Sequence, residues 1–214
     1  MKLNSKSSLA VSLSKLKGFE IGKVSTKLEQ YQTDPEIAAE IIWFAYMKGD
    51  ISGKVIVDLG CGTGVLGIGA LLLGAKKVIF VDIDNKVVEI AKENLKFVEQ
   101  ELEAKLGESQ FIVGDISKFQ DKADIVLQNP PFGTKQKHAD KAFLEKAVNI
   151  APVVYSFHKI ESKGFIDKFA VQNQLKITHF WNFDFPLKMT MKRHKRKIHR
   201  INVGCWRLEK LINN

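Results

Sequence analysis

The sequence predicts an α/β fold: a mostly parallel seven-stranded sheet with helices on both faces and an antiparallel hairpin at its C-terminal end. Three observations carry this. After about Lys54, short β-branched runs alternate with longer stretches of helical spacing, as parallel strands joined by crossover helices require. The strand-like runs are mostly continuous in apolar residues, which suits strands covered on both sides. The C-terminal end breaks the alternation, with two long β-rich stretches that bracket a basic segment.

In order along the chain, DPEIAAEIIWFAYMKG (34–49) reads as a helix with Asp34 as N-cap and Pro35 at its first position. KVIVDLG (54–60) is a strand ending in glycine, and GVLGIGALLLG (64–74) is a helix whose small residues suit close packing on a sheet. KKVIFVDID (76–84) is the second strand; NKVVEIAKENLKFVEQELEAKL (85–106) has the apolar spacing of an amphipathic helix. SQFIVGDI (109–116), ADIVLQNPP (123–131) and APVVYSFHK (151–159) continue the strands, with helices at 137–150 and 161–174. LKITHFWNFDF (175–185) and KIHRINVGCWRL (197–208) pair as the hairpin. No repeat, low-complexity tract or linker interrupts the chain, so one domain over 1–214 is expected.

Composition narrows the function. The 214 residues are 45% hydrophobic and 27% charged, ordinary for a soluble domain with a real core. No apolar run approaches the roughly 18 residues of a membrane span. The basic N-terminus is interrupted by Ser and Lys and lacks a cleavage-type ending, so it does not read as a signal peptide. Cys61 and Cys205 make neither a disulfide framework nor a metal site; a reducing, cytoplasmic setting is expected. The net charge of +9 points to a polyanionic partner. Much of it sits in KMTMKRHKRKIHR (188–200), which contains no acidic residue. Lys192, Arg193, Lys195, Arg196, Lys197 and Arg200 would grip phosphates there.

Two motifs carry chemistry. Val57-Asp58-Leu59-Gly60-Cys61-Gly62-Thr63-Gly64 runs from a strand through a glycine turn into a helix, where backbone can approach a ligand closely. Asp58 stands before the glycines, where a pyrophosphate site would want a neutral approach. Asp82 ends the next strand, placed to accept both ribose hydroxyls of a nucleoside. An acid before the glycines suits a ligand with a cationic amino-acid end, which favours S-adenosylmethionine over NAD. The second motif, Asn129-Pro130-Pro131-Phe132, follows a strand at its carboxyl end. An aromatic or amide NH2 is a poor nucleophile because its lone pair is delocalised. The Asn129 side-chain oxygen and the Pro130 carbonyl can accept its two hydrogens and orient the lone pair for in-line displacement. Pro131 stiffens the loop without offering a competing donor, and Phe132 offers a stacking face.

These motifs resemble those of class I (Rossmann-like) methyltransferases acting on adenine-N6, guanine-N2 and glutamine-N5. GFE (18–20), LEQYQT (28–33), DLGCGTGVLGIGALLLGA (58–75), VDID (81–84), NPPFGTK (129–135), AFL (142–144) and VYSFHK (154–159) narrow this further. In order, they resemble the methyltransferase-like protein five family, the ribosomal-RNA adenine-N6 methyltransferases of eukaryotes and archaea. The resemblance spans most of the chain and is weakest at 95–110 and after 175. It implies that Gln30, Tyr31 and Thr33, in a helical N-terminal segment (1–50), cover the methionine end of S-adenosylmethionine. Asp58, Gly60 and Gly62 would line its amino-acid part, together with Cys61, Thr63, Gly64 and Leu66. Asp82 would bind ribose and Ile83 pack on adenine. Asp115 would accept from the adenine amino group, with Ile116 beside the ring. Cys61 is expected to be a small residue tolerated near the ligand, not a nucleophile. Lys135 and His158 are expected to contact RNA, with closing of the site a second role open to His158. The resemblance also implies a heterodimer with a small zinc-binding activator protein, through an edge strand Phe111–Ile116. The alternatives are a protein glutamine-N5 methyltransferase, against which the basic loop counts, a non-catalytic RNA-binding module, and a nucleotide-linked oxidoreductase.

Overall fold

The structure, a computed structural model, describes residues 4–19, 33–131, 139–187 and 199–211. Helices α1 (Lys6–Ser14) and α2 (Pro35–Met47) precede the first strand. Then come β1 (Val55–Leu59), α3 (Val65–Leu72), β2 (Lys77–Asp82), α4 (Asn85–Leu102), β3 (Glu108–Val113), β4 (Ile125–Gln128) and α5 (Ala139–Ile150). The chain closes with β5 (Val153–Lys159), α6 (Lys163–Gln172), β6 (Leu175–Leu187) and β7 (His199–Lys210). The seven strands form one sheet in the order β3-β2-β1-β4-β5-β7-β6. β3 through β5 run parallel, and β7 enters antiparallel between β5 and β6. This is the expected sheet with its terminal hairpin.

Local chemistry explains the helix starts. Asp34 accepts from the Glu36 and Ile37 amides ahead of Pro35, as expected. α1 is an element that the sequence pattern did not separate; Ser5 and Ser8 cap it by reciprocal bonds. The third strand also differs. It ends at Val113, and Ile116 opens a short 3-10 turn capped by Asp115, so the sheet edge is Glu108–Val113, not Phe111–Ile116. A side-chain cap draws the chain out of the ladder before Ile116 can join it.

Two cores flank the sheet. One joins residues of α1 to α4 to Ile56, Phe80, Leu127, Tyr155 and Cys205. The other joins α5 and α6 to Val57, Val81, Val126, Val154 and Trp206. Within the first face lies an ion pair: Arg207, 3% exposed, meets Asp50 through Nε at 2.8 Å and Nη2 at 3.3 Å. The Tyr155 hydroxyl donates to the same carboxylate at 2.6 Å. These bonds compensate for desolvating both charges.

Candidate cofactor and acceptor site

The carboxyl ends of β3, β2, β1 and β4, adjacent in the sheet, bring Asp115, Asp82, the glycine turn and Asn129 onto one edge. That is where an open α/β sheet binds ligands. The turn after β1 is held by the Gly60 and Cys61 amides, both donating to the Val81 carbonyl, at 2.8 and 3.0 Å. Gly60 and Gly62 have φ of +73° and +52°. A Cβ would come within 2.8 Å of the Phe143 ring at the first and 3.1 Å of Phe19 at the second, so backbone angle and space both demand glycine. Gly64 caps α3.

Asp58 is 1% exposed, and one carboxylate oxygen accepts from the Gly67 amide at 2.8 Å. Burial pushes its carboxyl up to about 7, with the Asp82 charge adding to the rise. Asp82 accepts from the Gly62 amide at one oxygen and the Asp84 amide at the other, each at 2.9 Å, and burial raises it too. No Lys, Arg or His pairs with either carboxylate among the described residues, so the two form an acidic recess. Ile83 follows with 57% of its surface open. The Gly114 amide donates to the Asp82 carbonyl at 2.9 Å, which ties the turn bearing Asp115 to β2. Asp115 accepts from the Ser117 amide at 2.8 Å, and its bonds to Ser117 hold it below the ordinary carboxylate range. Burial, with Asp58 and Asp82 nearby, pushes the Cys61 thiol up, so it stays a thiol. Leu66 is 4% exposed and turned into the core, and Thr63 is buried with its hydroxyl unpartnered. Ile116 is half-buried against the second core.

At the acceptor end, the Asn129 amide nitrogen donates to Thr33 Oγ1 at 3.0 Å. Its oxygen is buried with no partner among the described residues. Thr33, expected over the cofactor, thus also fixes which way Asn129 faces. Pro130 is buried and Pro131 half-buried. His158 is placed differently from expectation. At 1% exposure it lies inside the second face, edge-on to Trp206 at 5.9 Å, so it offers no open ring to RNA; strands and helices cover both faces of β5. Burial pushes its pKa down to about 3. Arg200 lies in β7 opposite Pro186. Gln30, Tyr31, Phe132, Lys135, Lys192, Arg193, Lys195, Arg196 and Lys197 lie outside the described residues.

Asn94 was missed by sequence reasoning. It is 1% exposed in α4; its amide nitrogen donates to the Thr63 and Lys17 carbonyls, both at 3.0 Å, and its oxygen accepts from the Lys17 amide at 2.8 Å. It clips the segment after α1 onto the glycine turn. An Asn within a charged helical stretch signals nothing locally.

The residues present fit a nucleoside with a cationic amino-acid end. Two buried carboxylates lack a cation among the described residues, orphaned oxygens remain on Thr63 and Asn129, and an open apolar side chain stands beside Asp82.

Residues 44–130 match the family model for ribosomal protein L11 methyltransferase (PrmA), which reaches from α2 to the acceptor motif. A Pyrococcus horikoshii protein solved as a candidate RNA methyltransferase superposes with a TM-score of 0.85 and 44% identity over 97% of this chain and 98% of that one. The rRNA N6-adenosine-methyltransferase Mettl5 of Drosophila melanogaster is 36% identical, covering 90% of each chain. Its Danio rerio counterpart is 35% identical over 89% of this chain and 92% of that one. At that identity over nearly the whole length, the chain belongs to the rRNA N6-adenosine-methyltransferase (METTL5) family.

Proposed function

We propose that this chain transfers a methyl group from S-adenosylmethionine to N6 of an adenine in RNA, and that the RNA is small-subunit rRNA. The observation that carries it is the Asn129 side chain: its nitrogen is engaged by Thr33, and its oxygen is buried and free to accept. A buried acceptor without a donor is costly, by about 1–3 kcal/mol, and an incoming amino group would satisfy it.

When bound, S-adenosylmethionine supplies an electrophilic methyl on a sulfonium. Asp58 would face its ammonium, Asp82 its ribose hydroxyls and Ile83 its adenine, with Asp115 accepting from the adenine amino group. The Asn129 oxygen and the Pro130 carbonyl accept the two hydrogens of the target NH2 and turn its lone pair toward the methyl. No strong base is needed beforehand, because the attacking nitrogen sheds its proton after transfer. A duplex target must be flipped out, at a cost of a few kcal/mol. The basic segment 188–200 would hold the phosphates, which gives affinity that falls with salt.

The reading extends to a partner. Among the described residues β3 pairs only with β2, and Val113 and Phe97 are 47% and 37% exposed. A small zinc-binding activator adding a strand at Glu108–Val113 would cover that edge.

The test is incubation with labelled S-adenosylmethionine and unmodified small-subunit rRNA, followed by digestion to nucleosides. N6-methyladenosine that disappears with Asn129→Ala is the expected result. Label in a release-factor-like protein instead of RNA would overturn the substrate and favour glutamine-N5.

A further inference from the structure

Buried polar side chains with no part in the reaction so far stand directly beneath Asn129. Gln128, the last residue of β4, is 0% exposed, and its Nε2 donates to Ser156 Oγ at 2.8 Å. Ser156, also 0% exposed, has its Oγ 2.6 Å from His158 Nε2. The hydroxyl that accepts from Gln128 can donate to His158 Nε2, leaving Nδ1 as the ring's donor. Strand register sets Gln128, Ser156, Trp206 and Phe180 on one rung across β4, β5, β7 and β6. Trp206 braces this rung, edge-on to His158 and 4.8 Å from Phe180 between ring centres. It fits only because residue 204 has no side chain: a Cβ there would come within 2.4 Å of the indole.

Below this rung the same face is built from Val126 and Val154. An amide, a hydroxyl and an imidazole in their midst weaken the core, and Gln128 Oε1 and His158 Nδ1 have no hydrogen-bond partner among the described residues. Apolar residues of similar shape would be a simpler filling. Held neutral by burial, His158 is no proton carrier. The sequence just beyond gives these groups a purpose. The last β4–β5 backbone pair is Gln128 with Ser156. Pro130 and Pro131 have no N–H, so they can donate no further rungs. Among the described residues, the Gln128–Ser156 bond is the last tie between the strands before the acceptor loop.

We propose that Gln128, Ser156 and His158 are positioning residues for methyl transfer, fixing the strand end from which Asn129 and the Pro130 carbonyl meet the target amino group. This rests on the acceptor reading of Asn129 given above.

The test is single-turnover methyl transfer by the full chain with rRNA and S-adenosylmethionine both saturating, beside cofactor affinity and thermal unfolding. Ser156→Ala and Gln128→Met are each expected to slow transfer about 10-fold or more, as a displaced reacting group does. The cofactor dissociation constant should stay within about twofold, so the loss falls on the rate and not on binding. Gln128→Met removes an orphaned acceptor from the core, so it should melt at or above the wild-type temperature while still transferring slowly. Ser156→Thr keeps the hydroxyl and restores the rate. Wild-type rates in Ser156→Ala and Gln128→Met overturn the proposal, as does a loss that follows melting temperature or cofactor affinity. Asn129→Ala runs alongside. If it keeps the wild-type rate, the acceptor reading and this inference fall together; if it is inactive while Gln128→Met is fully active, only this inference falls.

Discussion

Asp58→Asn removes a charge whose burial opposes folding. Burial pushes the Asp58 carboxyl from 3.8 up to about 7, assisted by Asp82 and opposed by the Gly67 amide. Between those values the folded chain holds more protons than the unfolded one. The stability tied to this group is therefore fully present below about pH 4 and is lost as pH rises toward 7. At about 1.4 kcal/mol per pH unit, roughly 2 kcal/mol is gone by pH 5 and roughly 4 by pH 8. Asn does not ionise, and its oxygen can keep the Gly67 bond. Its advantage over wild type should therefore grow by about 2–3 kcal/mol from pH 5 to pH 8, or roughly 5–10 °C in melting temperature. Other titrating groups are common to both proteins and largely cancel in the difference. The assay is thermal or urea unfolding of both proteins, without cofactor, at the two pH values. S-adenosylmethionine affinity should move the other way, about 10-fold or more weaker, because a charge-assisted contact is lost. A stability difference that does not change with pH would refute the argument, as would undiminished cofactor affinity in the variant.

Two further outcomes follow from contacts at a distance from the reaction. Asn94→Leu releases Lys17 from the glycine turn; it should weaken S-adenosylmethionine binding about 10-fold by calorimetry, the effect of about 1.4 kcal/mol, and speed proteolysis near Lys17. Arg207→Met alone leaves the Asp50 carboxylate buried without its cation and should cost about 3–5 kcal/mol in urea unfolding, whereas adding Asp50→Leu should recover most of it.

The parallel strands were legible because they are short and mostly continuous in apolar residues, and Asp58, Asp82 and Asn129 were legible as candidates because they stand at or next to strand ends with punctuated turns. What the sequence hid depends on register between strands. Within VVYSFHK, Ser156 and His158 alternate with Tyr155 and Phe157, which locally suggests a wet face. In the fold both faces are covered, and the polar residues find Gln128 and Trp206 only through pairings that local pattern does not contain. Asn94 was hidden for the same reason, since its partners lie 31 and 77 positions away. α1 was not set apart within the helical N-terminal segment expected over 1–50, because serines break its apolar face and cap its start at once. The edge at β3 was legible as an edge but shifted, because Asp115 turns the chain before Ile116 can pair.

The ring of Phe143, lying where a Gly60 side chain would be, carries a consequence of its own. Phe143 belongs to α5, and Gly60 to the turn proposed to hold the cofactor. Turn and helix therefore meet with an aromatic ring against bare backbone. Trimming that ring to Leu would leave every polar group in place yet loosen the turn against the helix. Turnover could then be tuned by size alone, at a position no comparison of reactive groups would single out.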